Sequence, residues 1–257
     1  MSAASSLDRG PALSPNAWLR FDLLRDRLAA LPIGRVLEIG PGRGAIAARL
    51  VAAGHAYTGV ELSDESRDAT RRLLATLDAD PAPRLVASLD EIGPDERFDL
   101  VGAFEVLEHI EADEAALRSW VDRLVPGGTL LLSVPAWQSR FSSQDVEVGH
   151  IRRYDPDDLR DLAERVGLTD VQVELYGVPL GYVLERGRVA ISDRRQAARP
   201  VEHESAEERT RRSGAQHQPP RWSNLLVRTG TWPFRVVQRR VSDRGTGLVL
   251  VARAPSS

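Results

Sequence analysis

The chain contains no cysteine. Disulfides, thiolate nucleophiles and zinc–thiolate sites are excluded with it, while the redox state of its compartment stays open. Lysine is missing as well, so all 34 cationic side chains are arginine. A triphosphate-binding loop ending in Gly-Lys-Ser/Thr is therefore ruled out. No apolar run approaches the ~20 residues that a membrane span needs. The opening MSAASSLDRGPALSPNAW lacks the apolar stretch of a secretory leader, and a cytoplasmic protein is the expectation. A net charge of −3 over 257 residues is too small to argue for nucleic acid as a partner.

What is present is a repeated strand–helix alternation. Ser14 and Pro15 read as the N-cap and first residue of a helix, with Trp18, Phe21, Leu24 and Leu28 on one face. Strands are expected at RVLEI, YTGVEL, PRLVAS, RFDLVGAF, TLLLSVP, LTDVQVELYG and GLVLVAR. Helices are expected over 42–53, after Ser63, over 113–124, and after Asp155-Pro156 up to Gly167. Such alternation predicts an α/β fold with a doubly wound, mainly parallel sheet.

The stretch 177–245 breaks the alternation. Across 185–240 thirteen arginines face six acids, a net +7, which leaves −10 on the rest of the chain. Its centre, RPVEHESAEERTRRSGAQHQPP, is polar and reads as a mobile segment. The expected organisation is a helical cap over 1–34, a cofactor-binding core over 35–176, a basic and mostly helical insert over 177–245, and a closing strand over 246–257. The insert reads first as a lid over an acceptor pocket. Its second reading is an appendage packed on the acidic body or forming a homodimer face. The third uses Trp222, Leu225, Leu226, Trp232 and Phe234 among the arginines for peripheral contact with an anionic membrane or a lipid-linked acceptor.

The segment RVLEIGPGRGAIAARL has the wiring of a nucleotide pocket: a strand, three alternating glycines, then a helix of small residues. Gly40-x-Gly42-x-x-Ala45, followed about 20 residues on by Glu61, fits a dinucleotide fingerprint. Glu38 argues against it, because a carboxylate at that place repels a pyrophosphate and suits a ligand bearing an ammonium group. The ordered set of acid-x-Gly-x-Gly-x-Gly, TGVELS, FDLVGAFEVLEHI and LVPGGTLLLSVP resembles the class I S-adenosylmethionine-dependent methyltransferases over about Leu31 to Leu175. Within them it is similar to the branch that includes ubiquinone-pathway O-methyltransferases. The resemblance implies a Rossmann-like seven-stranded sheet with the last strand antiparallel, and S-adenosylmethionine as cofactor. It implies that Glu38, Gly40, Gly42 and Gly44 wrap the methionine part, that Glu61 takes the ribose hydroxyls, and that Leu62 packs on the adenine. Ser88 stands near the third-strand position where the family usually has an aspartate, with Asp90 two residues further on. Phe104 and Glu105 would face the transferred methyl.

EVLEHI places Glu105, Glu108 and His109 at i, i+3 and i+4, on one face if the turn is helical. His150, in GHIRRY, follows the fifth strand and would lie over the carboxyl ends of the strands, where open α/β sheets bind ligands. The four residues suit a divalent cation, magnesium, manganese or zinc. Glu-x-x-Glu-His with a later His also resembles the metal site of small-RNA 2′-O-methyltransferases. Without a metal, His150 is the leading general base and His109 the second, with Glu105 against cofactor or substrate. His55, His203 and His217 read as surface residues. Arg152 and Arg153 read as an anion anchor or a solvated pair, and Tyr154 as packing. The function expected is O-methylation of a small-molecule, glycan or lipid-linked hydroxyl. Alternatives are an RNA ribose 2′-O-methyltransferase, a cofactor-binding scaffold without catalysis, and an NAD-dependent enzyme. Methyl transfer from a sulfonium needs only alignment and an electron-rich acceptor, in keeping with the absence of a cysteine nucleophile.

Overall fold

Leu130, Leu131, Leu132 and Val134 are all fully buried, so this strand has protein on both faces. Leu130, Leu132 and Val134 face one core; Leu131 faces the other. In the computed structural model, which describes residues 6–8, 10–197, 223–241 and 243–256, the strands are β1 (Arg35–Ile39), β2 (Ala56–Val60), β3 (Arg84–Val86), β4 (Phe98–Phe104), β5 (Leu124–Pro135), β6 (Thr169–Tyr176) and β7 (Gly247–Arg253). They form one sheet in the order β3-β2-β1-β4-β5-β7-β6. β1 to β5 pair in parallel, and β7 runs antiparallel to both β5 and β6. The expected seven-stranded arrangement with an antiparallel last strand is therefore present.

Helices α1 (Pro15–Ala30), α2 (Ala45–Ala52) and α3 (Asp64–Leu74) lie on one side, α4 (Asp113–Val121) and α6 (Pro156–Arg165) on the other. Ser14 caps α1 by accepting from the Ala17 N–H at 3.3 Å, with Pro15 at the first helical position. Trp18, Phe21, Leu24 and Leu28 are buried together, as their spacing predicts. Two boundaries and one added element depart most from expectation. α2 starts at Ala45 rather than 42, because Gly42 and Gly44 have positive φ and cannot join it. β5 begins at Leu124, five residues early, with a register irregularity against β4 between Phe98 and Leu100. The loop after β5 holds a short helix, α5 (Ser143–Val148), that no apolar periodicity announces.

The insert supplies α7 (Leu180–Ala197) and α8 (Ser223–Gln238). α8 packs on α1, where buried Asp22 meets Arg235 at 3.5 Å and Arg239 at 2.7 Å. Gln238 completes the joint by donating to the Leu19 carbonyl at 2.9 Å and accepting from the Gly177 N–H at 3.1 Å. Trp232 and Leu226 are exposed, whereas Phe234 packs toward the α1 core. The polar centre of the insert, with His203, His217 and Trp222, lies outside the described residues, as does the side chain of Leu225. Among the described residues no helix is long and apolar enough to cross a membrane.

Candidate active site

The carboxyl ends of β1, β2, β4 and β5 meet at one edge, and the glycine loop closes over it. Gly42 has φ +56, and nothing lies within 4 Å of where its Cβ would sit. Glycine is therefore required there for backbone conformation rather than for close packing. The Gly42 N–H donates to Glu61 Oε2 at 2.8 Å, and the Ser63 N–H donates to Glu61 Oε1 at 2.9 Å. Burial raises the Glu61 carboxyl above its ordinary range, and those two hydrogen bonds oppose the rise. Leu62, next to it, is 75 % exposed and offers an open apolar side. Ser88 caps the short helical turn Leu89–Glu91 in a reciprocal arrangement with Glu91.

Glu38 is buried on the α1 side of β1 and accepts from the Tyr57 hydroxyl at 2.8 Å. Burial pushes its carboxyl up to about 7; Glu61 adds to this, while Tyr57 and Arg20 counter it. Arg20, from α1, reaches Glu105 at 3.2 Å, and its Nε is buried with no hydrogen-bond partner among the described residues. Burial works against the Arg20 charge, but Glu105 and Tyr176 more than compensate and raise its pKa.

A second polar group sits beside the first. Glu108 is wholly buried, and neither of its carboxylate oxygens has a hydrogen-bond partner among the described residues. Glu108, His109 and His150 each bring one donor atom within 4.8 Å of the others. The two imidazoles meet edge to face, with centroids 4.9 Å apart. His109 Nδ1 lies 3.0 Å from the Gly149 carbonyl, and His150 Nδ1 lies 2.8 Å from Asp145 Oδ1. A carbonyl and a carboxylate only accept, so each Nδ1 carries a proton, and Nε2 is the nitrogen left to accept in the neutral ring. His150 Nε2 stands 3.7 Å from Glu108 Oε1. Burial, and then Glu105, raises Glu108 well above the usual carboxylate range. Burial, and then His150, lowers His109, which keeps it neutral near pH 7.

A family model described as "Methyltransferase domain" matches residues 17–173, which covers the glycine loop, Glu61 and the Glu108 cluster. The chain belongs to the methyltransferase domain family. It is a class I S-adenosylmethionine-dependent methyltransferase. The methyltransferase is 34% identical over 107 residues to a "Ubiquinone biosynthesis O-methyltransferase" of Paramagnetospirillum magneticum, covering 40% of this chain and 43% of that one. A protein of the same name from Xanthomonas campestris is 34% identical over 124 residues, 48% of this chain and 50% of the relative. The methyltransferase thus spans about half the length of these curated relatives. In fold it is similar to phosphoethanolamine N-methyltransferase 2 of Haemonchus contortus in complex with S-adenosyl-L-methionine. There the TM-score is 0.59 at 19% identity, covering 98% of this chain and 56% of that one.

The methyltransferase rearranges several residues relative to the sequence reading. Glu105 lies outside the group formed by Glu108, His109 and His150. Its φ is +59, and the regular turn begins only afterwards, as a tight helical turn over Leu107–His109. The i, i+3, i+4 face assumed for the triplet therefore does not form. Glu105 instead pairs with Arg20 and accepts from Ser133 Oγ at 3.1 Å and Tyr176 at 3.4 Å. Phe104 is buried in the α1-side core, against Gly102, and does not form an open wall for a methyl group. His55 is buried, not a surface residue, and its Nδ1 accepts from the Gly34 N–H at 3.3 Å. Arg153 is neither an open anion anchor nor solvated: it is buried between Asp145 and Glu185. Arg152 is held by Asp113, which also accepts from the Tyr154 hydroxyl at 2.9 Å. Two residues near the site escaped the sequence reading. Arg20 carried only the signal of lying one turn before Leu24, and Asp145 only that of preceding His150 by five residues.

The donor set fits a divalent cation. Glu108 is a buried carboxyl without a hydrogen-bond partner among the described residues, and the imidazoles of His109 and His150 each bring a nitrogen beside it. Two nitrogens and a carboxylate suit manganese or zinc better than magnesium, which favours oxygen donors.

Proposed function

We propose that this methyltransferase transfers its methyl group to a hydroxyl oxygen, and that Glu108, His109 and His150 hold a divalent cation that serves the acceptor. The observation that carries this reading is the Glu108 carboxylate. It is 0 % exposed, has no hydrogen-bond partner among the described residues, and stands beside the imidazoles of His109 and His150. A buried carboxyl without a partner is costly to keep charged, and here burial pushes it toward the neutral form. Retaining one makes physical sense where a cation meets it.

The donor carries the electrophilic methyl on a sulfonium, together with an ammonium and a carboxylate. Glu38 would take the ammonium, and Arg20, with its buried unpartnered Nε, would take the carboxylate. The Gly42 loop leaves room for the chain of the donor, while Glu61 would exchange the Gly42 N–H for ribose hydroxyls. Leu62 would cover the adenine and Ser88 would border it. Glu105, fixed by Arg20, Ser133 and Tyr176, would stand between the donor and the Glu108 group. A divalent cation held by Glu108, His109 and His150 would lower the pKa of a coordinated hydroxyl. The relatives' names, O-methyltransferases of ubiquinone biosynthesis, support an oxygen acceptor on a small or lipid-linked molecule, and the lid role of the insert belongs to the same proposal.

A second reading rests on the 2.8 Å contact between Asp145 and His150. A histidine oriented by a carboxylate can itself remove a hydroxyl proton. Labelled-methyl transfer to a panel of catechols and other hydroxylated acceptors, with and without a chelator, separates the two. The metal reading expects loss of transfer on chelation and recovery with Mn²⁺. Transfer unaffected by thorough chelation supports His150 as base instead.

A further inference from the structure

The ligand histidine of the candidate site is tied to the insert through a chain of buried charges. Asp145 is 0 % exposed, Arg153 5 % and Glu185 4 %. Asp145 Oδ1 accepts from His150 Nδ1 at 2.8 Å and from Arg153 Nε at 2.8 Å. Its Oδ2 accepts from Arg153 Nη2 at 2.7 Å and from both the backbone N–H and the hydroxyl of Ser142 at 2.9 Å. Arg153 Nη1 donates onward to Glu185 on α7, which also binds Arg140. Arg140 in turn stacks over Tyr182 of the same helix, 4.7 Å from its centroid. Two carboxylates and two guanidiniums close on one another, so no charge of this group is left over for a substrate.

We propose that Asp145 is a positioning residue for His150, and that α7 of the insert sets Asp145 through Glu185 and Arg153. A neutral imidazole has two tautomers, and only one presents the Nε2 lone pair beside Glu108. The Asp145 carboxylate can accept but not donate, so it selects the Nδ1–H form. Arg153 grips Asp145 with two parallel hydrogen bonds, which fixes the plane of the carboxylate and hence the direction of the ring. Glu185 holds the free end of Arg153 and connects this arrangement to the insert. The insert is therefore part of the candidate site's framework as well as a cover for it. A carboxylate behind a ligating histidine is the general way in which proteins orient such a ligand. The inference deepens the proposed metal reading, but the tautomer stands independently of it.

The test uses the full chain labelled with ¹⁵N-histidine and stripped of metal. Imidazole nitrogen shifts should report His150 as the Nδ1–H tautomer in the parent and as a mixture in Asp145→Asn. Calorimetry with Mn²⁺ should show roughly 10- to 100-fold weaker binding in that variant, with affinity for S-adenosylhomocysteine unchanged as evidence of an intact fold. Should Asp145→Asn fail to fold, Glu185→Gln carries the same readouts with an expected loss of roughly 3- to 10-fold. An unchanged tautomer together with Mn²⁺ affinity within about twofold of the parent, in a variant that still binds S-adenosylhomocysteine, overturns the proposal. A parent that binds no Mn²⁺ but loses its single tautomer on Asp145→Asn refutes the metal reading and supports the positioning role.

Discussion

Glu61 and Glu108 are both buried carboxylates at the same edge of the sheet, and the protein treats them in opposite ways. Glu61 accepts two backbone N–H groups, from Gly42 and Ser63. Glu108 accepts from none of the described residues. The first arrangement is a loop that closes on itself and must exchange a partner when the donor arrives. The second is a buried side chain that no backbone N–H holds, with His109 and His150 beside it. The difference sets a carboxylate held by backbone against one that, in the proposed metal reading, a cation would complete.

Four substitutions can break or sharpen that contrast, beginning with the largest expected effect. Gly42→Val forces a β-branched residue to φ +56, and a strain of about 3 kcal/mol translates into roughly 100-fold weaker binding of S-adenosylhomocysteine. Calorimetry should find Mn²⁺ binding intact in the same variant. Loss of both would show that the two halves are not separable. Glu108→Gln should do the reverse, weakening Mn²⁺ on the order of 100-fold or more while the donor product binds as before. In thermal denaturation, millimolar Mn²⁺ should raise the melting temperature of the parent and not that of Glu108→Gln, since only a ligand that binds the native state stabilises it.

The effect of Glu38→Gln depends on pH. The folded carboxyl titrates at about 7, above its ordinary value, so Glu38 is mostly neutral below that pH and charged above it. Affinity for S-adenosylhomocysteine in the parent should therefore rise from pH 5.5 to 8, and the variant should fall behind by about tenfold at pH 8 and converge at pH 5.5. Stability moves the other way: because the folded pKa is raised, ionising Glu38 costs stability as pH rises, and Glu38→Gln should melt higher than the parent at pH 8. A variant with a flat offset across the range would remove Glu38 from the titration. The smallest effect is expected from Asp22→Asn, which loosens α8 from α1. A stability loss of about 1 kcal/mol, a few degrees of melting temperature, is expected, with both ligand affinities within about threefold. A larger loss of donor affinity would show that α8 controls Arg20.

How much of this could be read from the chain follows the same division. The donor loop is contiguous: Glu38, Gly40, Gly42 and Gly44 lie in seven residues, and Glu61 directly follows the neighbouring parallel strand. Strand alternation and turn residues located all seven strands, missing mainly the early start of β5. The Glu108 group is different. Periodicity suggested that Glu105 would join it, but a positive φ at Glu105 rotates that side chain toward Arg20, and single-residue backbone reversals leave no trace in spacing. Arg153 looked like a surface arginine because its partners, Asp145 and Glu185, come from a six-residue helix and from the insert. His55 looked exposed because its turn is short and polar, yet the Gly34 N–H draws it inward. The Glu105 miss is a local backbone reversal, while the pairing of Arg153 with Glu185 and of His55 with Gly34 joins separate segments, where local pattern carries no information.

The most direct test of the account is a calorimetric titration of the chelator-stripped, full-length chain with Mn²⁺, run beside Glu108→Gln. One ion per chain, bound by the parent and lost in the variant while both still bind S-adenosylhomocysteine, is the expected result. Absence of binding in the parent, or equal binding in both, would contradict the claim that the unpartnered carboxylate is there for a cation.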